Sequence, residues 1–225
     1  ARLEQKGWNT VNFDDSKWNG VGYRAVPSQN VVSQQVQPIR AVETIPVKIW
    51  KKLNDTTYVF DFARNMAGVT RIKVSGEEGT VVRLKHGERL YDNGRVNTSN
   101  IDVYHRPVDN SDPFQTDILV LSGKGEDEFM ARFNYKGFRY VEVTSTNPLV
   151  LNENNLTAYF VHSDVPQKGM IHTSNALINR LWWATNNAYL SNLMGYPTDC
   201  PQREKNGWTG DGHFAIETAL YNYDG

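Results

Sequence analysis

The side chains of this 225-residue chain that are best equipped for chemistry crowd into one segment, Tyr196-Pro-Thr-Asp-Cys-Pro-Gln-Arg-Glu-Lys-Asn-Gly-Trp-Thr-Gly-Asp-Gly212. It carries three carboxylates, Asp199, Glu204 and Asp211, with Arg203 beside the second and Trp208 four residues after it. Carboxylates held close together raise one another's pKa, because like charges resist joint ionisation. One that stays protonated near neutrality can act as a general acid. Two prolines and, with Gly195, four glycines impose an irregular backbone around them, and loops on a rigid scaffold are where convergent side chains gather. The same residues also suit a purely structural role. Asp211 could sit in the first turn of a helix, where the dipole favours an anion. Asp199 could support the turn at Pro201, and Glu204 could pair with Arg203 or Lys205 at the surface.

Two helices must position this segment. Leu177, Ile178, Leu181, Trp182, Thr185, Ala188, Tyr189 and Leu193 recur at three- and four-residue spacing, and no Pro or Gly interrupts residues 174–194. The pattern predicts a helix of about five turns, at ~3.6 residues each. Ser174 or Asn175 is its cap, and Gly195 and Pro197 end it. After the loop, Phe214, Ile216, Ala219, Leu220 and Tyr223 mark a second helix, to which Glu217 belongs. Two helices alone cannot enclose a helical core, so they read as the first hairpin of a larger array.

Ahead of the helices the grammar is that of strands. Thr70, Ile72 and Val74 alternate with Arg71 and Lys73, and Val82, Leu84 and His86 alternate with Val81, Arg83 and Lys85. Further runs lie at 118–121, 138–143 and 156–161. Gly76–Gly79 and Asp92-Asn-Gly94 read as turns, and the glycines at 76–79 lack the Lys-Ser/Thr of a phosphate loop. From about residue 46 to 165 this predicts an antiparallel β-sandwich, jelly-roll-like. Tyr58, Phe60, Phe133 and Phe138 fall on strand patterns that suit its core. Residues 25–45, with Pro27 and Pro38, read as a linker or edge strand, since proline blocks ladder bonding. The fold class is therefore mostly β, a sandwich followed by a helical hairpin.

Composition excludes several functions. Lys and Arg number 24 against 25 Asp and Glu, a net charge of −1, so no overall field draws nucleic acid or an anionic membrane. No apolar run approaches the ~20 residues of a membrane span. One cysteine, Cys200, precludes an intrachain disulfide and a multi-cysteine metal site. Its neighbours would not generate a thiolate, so it reads as a small buried residue, and a lone thiol leaves the compartment open. His86, His105, His162, His172 and His213 show no zinc-site spacing, and Asp102, Asp109 and Asp112 no calcium-loop spacing. No metal and no cofactor is expected. Aromatic residues make up 12%. They can fill a core or stack on sugar rings.

The loop Asp199-Cys-Pro-Gln-Arg-Glu-Lys-Asn-Gly-Trp-Thr-Gly-Asp211 resembles the signature loop of bacterial α-L-rhamnosidases, inverting glycoside hydrolases with an (α/α)6-barrel catalytic domain. Tyr58-Val-Phe-Asp-Phe-Ala-Arg-Asn-Met-Ala-Gly68 resembles the opening strand of the β-sandwich that precedes the barrel. Phe133-Asn-Tyr-Lys-Gly-Phe-Arg-Tyr-Val-Glu-Val143 resembles a segment near the sandwich's end, and Phe13-Asp-Asp-Ser-Lys-Trp18 the close of an earlier β-domain. The resemblance implies three parts: residues 1–25 as the tail of an upstream β-domain, 26–166 as the sandwich, and 167–225 as the first helices of the barrel. It also implies that Glu204 is the general acid, that Asp199 and Asp211 bind sugar hydroxyls, that Arg203 lies beside them and that Trp208 is an apolar wall. The partner implied is a glycoside or polysaccharide with terminal α-L-rhamnose. The second carboxylate of an inverting site lies downstream in the family, so the 225 residues alone are expected to be inactive and their uncovered helix faces to self-associate. The competing expectation is a non-catalytic carbohydrate-binding or scaffold sandwich.

Overall fold

The structure, a computed structural model, describes residues 3–102 and 113–224. His105, Asp109 and Asp112 lie outside the described residues. The strands are β1 (Ile39–Pro46), β2 (Ile49–Asn54), β3 (Thr57–Ser75), β4 (Val81–Gly87), β5 (Arg89–Leu90), β6 (Val96–Asn97), β7 (Thr116–Val120), β8 (Glu126–Met130), β9 (Lys136–Ser145) and β10 (Leu156–Ser163). Helix α1 (Ser99–Asp102) is a single turn, and α2 (Ala176–Ser191) and α3 (Thr209–Asn222) close the chain. Eight strands form one curled sheet in which every pair is antiparallel, while β5 and β6 make a small separate hairpin.

The 19-residue β3 is the spine of that sheet. Its first residues, 57–61, lie between β2 and β9, and its last, 71–75, pair with β8 while Arg71 and Ile72 still pair with β10. An irregularity between Asp61 and Met66 separates the two stretches. There Ala63 takes φ 56° and its N–H donates to Asp61 Oδ1 at 2.6 Å. Arg139 clamps the same carboxylate with two bonds of 2.8 Å. Bulges of this kind bend a strand and raise its twist, so one strand can serve both halves of the curl. Beyond the bulge Gly68 is mandatory, because a Cβ there would lie 2.0 Å from the Tyr159 carbonyl oxygen.

The alternating residues of the sequence become the core: Thr70, Ile72, Val74, Val82, Leu84 and His86 are all buried. Phe60, Phe62, Phe138 and Phe160 fill its centre, with Phe62 and Phe138 edge to face at 5.8 Å. Phe133 does not join them. It is fully exposed in the turn between β8 and β9, so its place in an apparent strand pattern was no guide to burial. Strand structure also starts earlier than residue 46. β1 begins at Ile39 and, among the described residues, forms an edge that pairs only with β10, so Tyr58–Gly68 lies in the third strand and not the opening one. Residues 3–38 contain no strand or helix.

Asn175, one of the two expected caps, starts α2. Its Oδ1 accepts the N–H of Leu177 at 2.9 Å and of Ile178 at 3.4 Å. The helix stops at Ser191, two residues short of the pattern's last apolar residue, Leu193, because the Asn192 N–H turns back to Tyr189 O at 3.0 Å and the chain folds into the loop. The bulge of β3 docks this helix. Arg64 Nε donates to Asn187 Oδ1 at 2.6 Å, and Asn187 Nδ2 donates to Asn65 O at 2.9 Å. The Arg64 guanidinium also covers the rings of Phe160 at 4.4 Å and Trp183 at 5.3 Å. Between the helices Tyr189 stacks on Tyr223 at 5.6 Å and Trp182 Nε1 donates to Asn222 Oδ1 at 2.9 Å. Their other faces are bare: Leu177, Leu181, Phe214 and Leu220 are 66–86% exposed. The expected outcome is concentration-dependent self-association of this chain in light scattering, reduced by Phe214→Ser with Leu220→Ser.

His86 is wholly buried. Its Nε2 meets Thr70 Oγ1 at 2.9 Å and its Nδ1 meets Gln115 O at 3.2 Å. Burial pushes its pKa down to about 4; Asp117 opposes the shift and Lys136 adds to it. The unfolded chain therefore binds a proton that the folded chain refuses, so stability is complete above the ordinary histidine value and is lost as pH falls towards about 4. Urea unfolding at about pH 7 and about pH 4.5 is expected to differ by roughly 2 kcal/mol on this account. His86→Gln should flatten most of that slope, leaving the part from His162, which burial also lowers.

Candidate active site

The loop between α2 and α3 is tied at its start, across its neck and underneath. At the start, Gly195, at φ 82°, donates its N–H to Ser163 Oγ at the end of β10 (2.8 Å), and Thr198 N donates to Asn192 O at 2.7 Å. At the neck Asp199 N donates to Asn206 O at 2.9 Å, and Asn206 N returns a bond to Asp199 Oδ1 at 2.9 Å. Inside the closed ring the Cys200 thiol donates to Asp199 Oδ2 at 2.7 Å and accepts the Glu204 N–H at 3.4 Å. Cys200 thus connects the backbone of Glu204 to the carboxylate of Asp199.

Underneath, β9 supplies the seat. Gly137 has no side chain to spare: a Cβ there would stand 2.7 Å from Gln202 Cβ, 2.8 Å from Gln202 N and 2.9 Å from Pro201 C. Lys205 takes φ 58°, rare for a residue with a side chain. Its Nζ donates to Tyr135 O at 2.6 Å and lies 4.7 Å from the centre of the Tyr135 ring. Burial, then the nearby Lys136 ammonium, push the Lys205 pKa down to about 8, with Asp117 opposing. Lys136 itself is buried and paired with Asp117.

On the outer side, Glu204 Oε2 accepts the Trp208 indole N–H at 3.0 Å and Oε1 lies 3.1 Å from Arg203 Nη2. The side chains of Arg203 and Glu204 are about one-third exposed, at 31% and 34%, and Trp208 is 53% exposed. Asp211 stands exposed in the first turn of α3. With Asp199 it lines a hollow of about 440 Å³ between the helices, walled by Tyr189, Phe214 and Thr218.

The five residues expected from the sequence therefore form two sets. Glu204 touches both Arg203 and Trp208, while Asp199 and Asp211 share the hollow, and Cys200 bridges the sets through the Glu204 N–H and the Asp199 carboxylate. Asp199 is not the carboxylate that stays protonated. Burial raises its pKa, but hydrogen bonds from the Cys200 thiol and from the N–H groups of Asn206 and Cys200 outweigh that and leave it below the ordinary aspartate value. Cys200 moves up, through burial and through Asp199, so it remains a thiol donor. It is only partly buried, less than its small-residue reading implied. His213 is exposed and stacks edge-on against Phe214 at 5.6 Å. Among the described residues no group of three or more His, Cys, Asp or Glu side chains could hold a metal ion. No helix there is long and apolar enough to cross a membrane.

Pattern reading missed the hydrogen bonds of Cys200, the inward turn of Lys205, which it had offered as a surface partner of Glu204, and the Gly137 seat. Only Gly137 left a trace: a glycine inside a strand marks close approach of another backbone.

Three family profiles match consecutive parts of the chain. They are described as an α-L-rhamnosidase N-terminal domain (residues 1–43), a bacterial α-L-rhamnosidase concanavalin-like domain (51–162) and a bacterial α-L-rhamnosidase six-hairpin glycosidase domain (166–225). The chain belongs to the α-L-rhamnosidase family. An α-L-rhamnosidase of Streptomyces avermitilis is 34% identical over 227 residues, and one of Formosa agariphila is 31% identical over 228 residues. Each alignment takes in all of this chain but only 21% and 23% of the relative. A solved α-L-rhamnosidase from Dictyoglumus thermophilum superposes over 99% of this chain and 24% of its own, with a TM-score of 0.87 and 37% identity. The Streptomyces avermitilis enzyme, solved in complex with L-rhamnose, superposes over 99% of this chain and 21% of its own, with a TM-score of 0.85 and 32% identity. The chain thus spans about a quarter of its relatives' length.

Gly137→Ala should cost about 1–3 kcal/mol through the forced contact with the loop backbone. Urea unfolding would read this loss, and the Trp208 indole N–H signal in NMR is expected to shift because the loop is lifted from β9.

Proposed function

We propose that this chain carries the acid half of an α-L-rhamnosidase active site, with Glu204 as general acid. The supporting observation is the placement of the Glu204 carboxylate beside Arg203 and the half-exposed Trp208, on a loop whose neck holds Asp199, which lines one hollow with Asp211. The names of the relatives, and the L-rhamnose complex of one of them, supply the substrate class.

Rhamnose is a 6-deoxy sugar, so its C5 methyl favours an apolar surface while its ring hydroxyls favour acceptors. Trp208 supplies the first. Asp199, held in its ionised form by three donors, supplies an acceptor, and Asp211 supplies another. In the bound complex Glu204 protonates the glycosidic oxygen as the bond from C1 breaks. As arranged here both its oxygens face donors, so the acid role requires Glu204 to take up a proton from water, with Trp208 or Arg203 displaced, before it passes that proton to the leaving oxygen. In the inverting reaction a second carboxylate activates water on the opposite face, ~6.5–9.5 Å from the acid. The resemblance assigns that base to a later part of the protein, so the 225-residue chain assayed by itself is expected to show no turnover.

In a longer protein containing these residues, Glu204→Gln should lower kcat on natural rhamnosides by about 10²–10⁴-fold. The loss should be smaller on an aryl α-L-rhamnoside whose leaving group needs no proton. Equal loss on both substrates, or none on either, would remove Glu204 from the acid role.

A further inference from the structure

We propose that Lys205 is a positioning residue: the β-domain sets the direction of the Glu204 carboxylate by anchoring the next side chain in the chain. The claim about geometry stands on contacts alone; its catalytic consequence rests on reading Glu204 as the acid.

Lys205 lies between the two residues that matter most to the loop. Glu204 points outward to Trp208 and Arg203, and Asn206 closes the neck on Asp199. Lys205 points the other way. Its ammonium enters the β-domain, donates to the Tyr135 carbonyl at 2.6 Å and rests over the faces of Tyr135 (4.7 Å) and Phe114 (5.9 Å). A φ of 58° at a non-glycine residue persists only where its surroundings over-determine it. Here those surroundings are the Tyr135 carbonyl, the two rings and the seat at Gly137 beneath Pro201 and Gln202. With the Lys205 side chain fixed inside and its backbone held in the left-handed region, the peptide that carries Glu204 cannot rotate independently of β9. A surface lysine has no need of such a pocket. Burying an ammonium beside a second buried lysine is unfavourable, so the anchor is kept against a cost.

The test uses the 225-residue chain, ¹⁵N-labelled and held below the concentration at which it associates. The readout is the Trp208 indole N–H signal, whose bond to Glu204 is identified by its displacement in Glu204→Gln. Lys205→Met removes the donor, and Lys205→Gly removes the side chain while accepting the positive φ without strain. In both, the Trp208 signal should move towards that of a free indole and stop responding to Glu204→Gln, whereas Lys205→Arg, which keeps a donor, should retain part of the response. Unchanged β-domain signals keep the result from being read as unfolding, and should Lys205→Met fail to fold, Lys205→Gly decides. A Trp208 signal that still responds to Glu204→Gln in Lys205→Gly overturns the proposal. In a longer active protein, Lys205→Met should lower kcat on poor-leaving-group rhamnosides by on the order of 10²-fold with little change in KM. If Glu204→Gln proves harmless to activity while the Trp208 signal still depends on Lys205, the acid role falls and the positioning role stands.

Discussion

β3 has to belong to both halves of a curled sheet, and the rest of the molecule is arranged around that demand. A flat 19-residue strand could not do so. The irregularity from Asp61 to Met66 bends it, and Asp61 holds the bend by accepting from Ala63 N–H and from Arg139 at once. The bent stretch then turns Arg64 and Asn65 outward, where they meet Asn187 on α2. The device that curls the sheet therefore also fixes the helix from which the carboxylate loop departs.

The loop itself is positioned by two domains. Its ends belong to α2 and α3, but its underside rests on β9 through Gly137 and Lys205, and its start is tied to β10 through Ser163. Buried charge lies close to that seat. Lys136 and Asp117 pair in the interior, and Lys205 adds its ammonium nearby. A buried pair is weak evidence for stability, since desolvation offsets most of its attraction. Its presence beneath the loop fits geometry better than it fits stabilisation.

Much of this was legible in the residues. Alternation at 70–74 and 82–86 gave buried faces because one side of each strand must meet the core. Asn175 capped a helix as its side-chain chemistry allows. The five loop residues were legible as a dense polar cluster and through the resemblance to a known signature. Phe133 misled because aromatic type carries no information about which residues a turn lifts off the sheet. The end of α2 misled because apolar periodicity ran on through Leu193, whereas the backbone had already turned at Asn192. The Lys205 contact was invisible for a different reason: its partner, Tyr135, lies 70 residues away and is chosen by the tertiary fold, whereas Cys200 meets its near neighbours Asp199 and Glu204 only because the loop closes into a ring. No local spacing encodes the Lys205 contact.

Much of the loop's grip on the sheet ends on main-chain atoms: the Tyr135 carbonyl that accepts from the Lys205 ammonium, and the backbone of Pro201 and Gln202 against Gly137. Main-chain atoms are common to every amino acid. Residues on the outer face of the loop can therefore be exchanged during evolution without unseating it. The start of β9 has no such freedom, because a single added methyl at Gly137 meets the loop. The frame therefore separates an exchangeable outer surface from a strand whose start has no room for an added side chain.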